Sequence, residues 1–256
     1  MAEHEKRFKN DLNKVQKWKE ALHQVANLSG YHFKYRDGYE HVFIGNIVEN
    51  ISKKIRRNAA LPVADHPVGL ESPVSEVVLL LDVESDAGVH MVGIYGIGGI
   101  GKTTLALAVY NLIADNFESV CFLENVRENS SKYGLVHLQN ILLCKILGKE
   151  GIQIFGVKEG TSQIQYRLCQ KKVLLVLDDV DEHEQLKAVA GKSDWFGPGS
   201  RIIITTRDKH LLTLHGVERT YEVQGLNENE SLDLLNWKAF KTDIVNPKYM
   251  DVLIVQ

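Results

Sequence analysis

The stretch Gly96-Ile97-Gly98-Gly99-Ile100-Gly101-Lys102-Thr103 fits GxxxxGK[ST], a spacing suited to cradling phosphate. Glycine at 96, 98, 99 and 101 lets the backbone curl until successive N–H groups face one anion. A helix beginning near Lys102 aims its positive end at the same charge. Lys102 adds a mobile ammonium for the β- and γ-phosphates, and the Thr103 hydroxyl is placed to ligate Mg²⁺. Ile100 and Thr104 belong to the same loop and complete the expected contact set. A glycine-rich turn with a chance lysine is the plainer alternative. The setting argues against it, because the loop lies between an apolar strand and a helix. ADP or ATP with Mg²⁺ is the ligand this pattern predicts.

Such a site needs an acid for the metal. Val173-Leu174-Leu175-Val176-Leu177-Asp178-Asp179 brings two to the end of an apolar run. Asp178 is the expected magnesium partner, directly or through water. Asp179 is expected to orient or deprotonate an attacking water, the catalytic role. Acids also end strands simply as loop or cap residues; it is the phosphate loop upstream that favours chemistry here. A further run, Arg201-Ile202-Ile203-Ile204-Thr205-Thr206-Arg207-Asp208, ends in polar groups at the same edge. Arg207 is expected to reach the terminal phosphate and report whether it is present. Read without that context, Thr-Thr-Arg is a helix cap and a surface charge.

Alternating strands and helices must position these groups. Met91–Tyr95, Val120–Leu123, Lys172–Leu177, Arg201–Thr205 and Thr220–Val223 read as strands; Lys102–Asp115 and Gly134–Leu147 read as helices. Lys172–Leu177 has the continuous apolar texture of a strand buried on both faces. The expectation is an α/β P-loop NTPase domain with a parallel five-stranded sheet flanked by helices, its ligand at the carboxyl ends of the strands. Upstream, Leu12, Val15, Trp18, Leu22 and Val25 line one face of a helix over 10–26, and Ile44, Ile47, Val48, Ile51 and Ile55 one over 39–57. Lys53, Lys54, Arg56 and Arg57 crowd the end of the second helix, where they suit its dipole or make a basic patch. Residues 58–70, with Pro62 and Pro67, read as a linker. Ser72-Pro73 reads as an N-cap and first turn of a short helix.

Composition sets outer bounds. Hydrophobic residues are 44 % and charged residues 25 % of 256, ordinary for a globular protein, and the net charge of -3 gives no basic excess for nucleic acid. The three cysteines, Cys121, Cys144 and Cys169, match neither a disulfide framework nor CxxC, and read as buried or half-buried thiols in a reducing compartment. The ten histidines form no HxxxH or HExxH spacing. No secretory h-region and no membrane-length apolar run is visible, so a cytoplasmic or nuclear location is the default.

The order of motifs resembles the NB-ARC module of plant disease-resistance receptors, within the signal-transduction ATPases with numerous domains. The matching stretches are Val92 to Leu105, Phe122-Leu123-Glu124-Asn125-Val126-Arg127-Glu128, Lys172 to Asp181, Gly199 to Asp208 and Tyr221-Glu222-Val223-Gln224-Gly225-Leu226-Asn227. The Phe122–Glu128 segment and Asp181 after Asp-Asp-Val point to the receptors that carry a TIR domain.

The resemblance implies further roles. Val68, in Val68-Gly69-Leu70-Glu71, is similar to the segment that packs on adenine, and Arg207 matches the sensor arginine. It divides the chain into 1–57 (the end of a TIR domain and its connecting helix), the 58–70 linker, 68–225 (the nucleotide-binding domain) and 226–256 (the start of the ARC1 helical subdomain). Glu228 to Phe240 is that subdomain's first helix. The Gly-Leu-Pro and Met-His-Asp segments of the family's ADP pocket, the leucine-rich repeats and most of the TIR domain, including its NAD-cleaving glutamate, do not occur in this sequence.

The implied function is an ADP/ATP switch module of an intracellular immune receptor, in truncated form. A slow P-loop ATPase without switching is one alternative. A regulatory fragment pairing with full-length immune receptors is another; receptor domains are then the partners.

Overall fold

The computed structural model describes residues 60–85, 87–148 and 153–241. The expected helices over 10–26 and 39–57, and the basic cluster at 53–57, lie outside these residues.

Five strands form one parallel sheet: β1 (His90–Tyr95), β2 (Ser119–Leu123), β3 (Val173–Val180), β4 (Arg201–Thr206) and β5 (Arg219–Glu222), ordered β2-β3-β4-β1-β5. Around it run α1 (Glu71–Leu81), α2 (Lys102–Ile113), α3 (Val126–Tyr133), α4 (Leu135–Leu147), α5 (Val157–Leu168), α6 (His183–Ala190), α7 (Lys209–Leu214) and α8 (Glu228–Phe240). Every expected strand is present, β3 running on through Asp178 and Asp179. The α2 helix gives way at Ala114 to a short 3-10 turn. Helices α3, α5, α6 and α7 are additional to those expected.

Strand side chains alternate between faces, and each face has its own core. Leu174, Val176 and Ile203 join Val92, Ile94, Leu105, Val109 and Ile113 beneath α1 and α2. Leu175, Leu177, Ile202 and Ile204 join Leu138, Leu142, Ile164, Leu186 and Leu212 on the other side. The central strands are thus covered twice, as their unbroken apolar sequence requires.

The position of β4 decides where chemistry can occur. It pairs with β1 through Ile94↔Thr205 and with β3 through Leu177↔Ile204. The polar residues that follow Ile204 therefore emerge between the phosphate loop and the Asp178-Asp179 pair. A register irregularity between Leu177 and Val180 coincides with φ of 55° at Asp179, a left-handed conformation that Asp tolerates better than most residues.

The linker is fastened to the domain. Asn111 of α2 donates from Nδ2 to the Leu61 carbonyl, and its Oδ1 accepts from the Leu61 N–H. The Ser72 expectation is corrected: α1 begins at Glu71 behind Leu70, with no side-chain cap, and the Ser72 hydroxyl donates instead to Glu76. A serine one position inside a helix has backbone N–H groups directed away from its hydroxyl, and a glutamate four residues on is within reach. The thiols are corrected too. Cys121 is buried, and burial pushes its pKa up to about 12, which makes it inert. Cys144 and Cys169 are exposed.

At the far end, α8 begins and ends where the resemblance placed a helix. Asn227 and Glu230 form a reciprocal capping box, each side chain accepting from the other's backbone N–H.

Candidate functional site

The turn from β1 into α2 needs backbone conformations that a side chain would resist. Gly101, the residue before α2, sits at φ of 104°. A methyl group on Gly98 would lie 3.3 Å from the Arg207 guanidinium, so glycine here lets that cation approach the loop. The α2 helix then begins at Lys102 with no side-chain cap. Its first N–H groups remain free to meet an anion.

Lys102 is only 7 % exposed and donates from Nζ to the carbonyls of Gly96 (2.9 Å) and Ile97 (2.7 Å). Two of its three N–H donors are used in this way, and the third is available to a ligand oxygen. Its pKa is lowered, first by burial and then by the neighbouring Arg207 charge, while Asp179 and Asp178 oppose the shift. An incoming polyanion would offset both unfavourable influences with opposite charge.

Asp178 is 2 % exposed and is met from the first turn of α2 and from the end of β4. Thr103 Oγ1 donates to Asp178 Oδ1 at 2.8 Å, and Thr205 Oγ1 donates to the same oxygen at 2.7 Å. The Thr205 hydroxyl in turn accepts from the Asp179 N–H at 2.8 Å. Thr205 thereby sets the positions of both acids.

The Thr103 and Asp178 oxygens fit a magnesium ion. Neighbouring oxygens around Mg²⁺ at about 2.1 Å lie about 3.0 Å apart, near the 2.8 Å seen here. Among the described residues no group of three His, Cys, Asp or Glu side chains could hold a metal. A cation at Thr103 and Asp178 would draw its other ligands from phosphate and water, the usual habit of Mg²⁺.

Asp179 binds two arginines. Arg127 Nη2 lies 3.0 Å from its Oδ2, and Arg207 Nε 3.6 Å from its Oδ1. Together with Gly98, Gly99, Gly101, Lys102, Thr103, Thr104, Asn125, Asp178 and Thr205, these residues line a cavity of about 380 Å³. Three cations and two carboxylates face it, over a loop that offers backbone donors. Four non-glycine residues among those described have positive φ, and two of them, Asn125 and Asp179, line this cavity. Unfavourable backbone conformations gather where function is built.

The NB-ARC domain family model matches residues 70–244. The chain belongs to the NB-ARC family. A TIR domain model matches residues 1–66. The disease resistance protein RPV1 of Vitis rotundifolia is 44 % identical over 244 residues, covering 95 % of this chain and 17 % of that protein. The TMV resistance protein N of Nicotiana glutinosa is 38 % identical over 254 residues, covering 96 % of this chain and 22 % of that protein. The chain therefore spans about a fifth of the length of these relatives. The crystal structure of Cdc6p from Pyrobaculum aerophilum shares the fold at a TM-score of 0.50 and 14 % identity, over 68 % of this chain and 50 % of that one.

Within this NB-ARC domain, most of the residues singled out by motif come together. Gly98, Gly99, Gly101, Lys102, Thr103, Thr104, Asp178, Asp179 and Arg207 share the cavity lining. Gly96 meets Lys102 through its carbonyl, and Ile100 lies beneath Gly96, 3.2 Å from where its Cβ would be. Neither is among the residues lining the cavity. Val68 is half-buried and lies apart from that lining, in a segment turned toward α8. There Leu226 and Glu230 crowd Gly69, and the His66 ring stacks on Trp237 at 5.3 Å.

Three lining residues were not expected. Thr205 stood among the polar groups at the end of its strand without an assigned role. Asn125 and Arg127 stood inside a matching motif without an assigned role. The signal was the pairing of Asn125, tolerant of positive φ, with an arginine two residues on; the fold delivers that arginine beside Asp179.

Proposed function

We propose that this NB-ARC domain binds ADP or ATP with Mg²⁺ as the nucleotide switch module of an intracellular, cytoplasmic immune receptor. The single observation that carries the reading is the convergence of Lys102, Thr103, Asp178 and Arg207 on one cavity at the carboxyl ends of β1, β3 and β4. Backbone N–H groups of the loop and of α2 hold the α- and β-phosphates, and Lys102 neutralises them. Thr103 and Asp178 would hold a magnesium ion, which when bound would neutralise phosphate charge. Arg207 contacts the terminal phosphate, and Asp179 orients the water that attacks it in slow hydrolysis. Val68 contributes to the base contact.

Switching requires a ligand with different affinity for two arrangements of the protein. The helical part that begins with α8 is the element to move, and other receptor domains or full-length receptors are the partners that would read its position. The names of the relatives, both resistance proteins, support the defence setting.

Thermal unfolding tests the nucleotide reading. A ligand that binds only the folded state stabilises it by about 2.7 kcal/mol at one hundred times its Kd. Saturating ADP is expected to raise the Tm of the chain by several degrees and to leave that of Lys102→Ala unmoved. Equal shifts in the two proteins would remove the phosphate loop from the account.

A further inference from the structure

Arg127 has no part in the reading above, yet its guanidinium makes the shorter of the two ion pairs to Asp179, 3.0 Å against 3.6 Å for Arg207. The two arginines reach that carboxylate from different elements. Arg127 stands in the first turn of α3, directed by the left-handed turn at Asn125. Arg207 follows the end of β4. Both line the phosphate cavity, and their side chains are 42 % and 53 % exposed while Asp179 is 22 % exposed. Two forked cations therefore share one carboxylate at the mouth of a cavity whose floor is a phosphate loop.

A carboxylate and a phosphate present the same kind of acceptor edge to a guanidinium, and the phosphate carries more charge and more oxygens. The carboxylate gives one oxygen to each arginine, and its single negative charge is shared between two cations.

We propose that Arg127 is a second reader of the terminal phosphate, and that Asp179 is the internal anion holding Arg127 and Arg207 until a triphosphate displaces it. The proposal rests on the nucleotide reading and deepens it. A diphosphate reaches Lys102 and Thr103 but does not extend to the arginines, so Asp179 keeps them. A γ-phosphate draws both guanidinium groups from Asp179, and the freed carboxylate, its backbone N–H held by Thr205, is then available to an attacking water. Recognition of the third phosphate and release of the acid become one event. Because Arg127 belongs to α3 and Arg207 leads into α7, that event also couples two peripheral helices to the identity of the nucleotide.

Calorimetric titration of the full chain with ADP and with a non-hydrolysable ATP analogue, both with Mg²⁺, tests this. Arg127→Ala is expected to weaken the analogue about tenfold, with ADP changed less than about twofold, since the lost interaction is one charge-assisted contact. Arg127→Lys keeps a charge but not the fork and is expected to lose about threefold for the analogue alone. Asp179→Asn, which removes the competing anion, is expected to tighten the analogue about threefold or more and to change ADP less.

Equal losses for both nucleotides in Arg127→Ala and Arg127→Lys would make Arg127 a brace for α3 and overturn the proposal. Unchanged affinity for the analogue in both variants would overturn it as well. Failure of the underlying reading has a different signature, namely a wild-type chain that takes up neither nucleotide, and it sinks both.

Discussion

At the amino ends of the central strands Arg201 is fully buried and donates to the backbone carbonyls of Ser200, Asp82 and Ser85. At their carboxyl ends Lys102 is nearly as buried and donates to the carbonyls of Gly96 and Ile97. Both cations are costly to desolvate, and both are met by backbone oxygen. They differ in what surrounds them. Arg201 binds the loop after α1 to the first residue of β4 and fixes where that strand begins. Lys102 borders a cavity that two more cations and two acids also line. Burial of a charge is therefore not itself the mark of a site; the mark is burial beside an open volume with further charges converging on it.

The sharpest way to break the comparison is to remove each cation in turn. Arg201→Ala leaves the Asp82 and Ser85 carbonyls short of a donor and is expected to cost about 3 kcal/mol in denaturant unfolding. Nucleotide affinity of the molecules that remain folded should be unchanged. Lys102→Ala is expected to show the reverse, a loss of about a hundredfold in ADP affinity, or about 2.7 kcal/mol, with no loss of stability. Ile97 is exposed and Gly96 half-buried, so water can take over the two carbonyls that Lys102 leaves. If Arg201→Ala left stability intact while Lys102→Ala unfolded the chain, the division between staple and site would be the wrong way round.

A smaller effect is expected where the two roles overlap. Thr205→Val keeps shape but removes the hydroxyl that joins Asp178 to the Asp179 N–H, and should cost about 1–2 kcal/mol of stability. It should also weaken Mg²⁺-dependent binding of ATP more than binding of ADP, because both acids lose their common anchor. A loss of stability without that difference would make Thr205 purely structural.

The smallest effect is at the amino end. Burial lowers the pKa of His215 below its ordinary 6.5, opposed by its contact with the Ala190 carbonyl, 2.9 Å away. The folded state then binds fewer protons than the unfolded state below that value. Stability contributed by neutral His215 is complete above pH 6.5 and is lost as pH falls through the folded pKa. Denaturant unfolding at a series of pH values should show this decline, and His215→Gln should lessen it.

What could be read from the sequence was what is local. The phosphate loop is contiguous, and β3 and β4 are continuous apolar runs. The additional helices are weak in sequence for a physical reason. In Val157–Leu168 only Gly160, Ile164 and Leu168 are buried, so that its apolar stripe is one residue wide. Ser72 misled because a serine before proline satisfies a capping pattern that α1, starting one residue earlier, does not use. Arg127 and Thr205 could not be placed at all without the strand order. Asp179 meets Arg127 from the first turn of α3 and Thr205 from β4 only because β3 lies between β2 and β4. The glycines announce the site, while its acids and arginines become a site through topology.

The central claim is that Lys102 and its neighbours form a nucleotide site and not a structural turn. Calorimetric titration of ADP into the wild-type chain and into Lys102→Ala, both verified as folded, tests it most directly. The account predicts one site per chain in the wild type and an affinity about a hundredfold weaker in the variant. Equal affinity in the two proteins would contradict it.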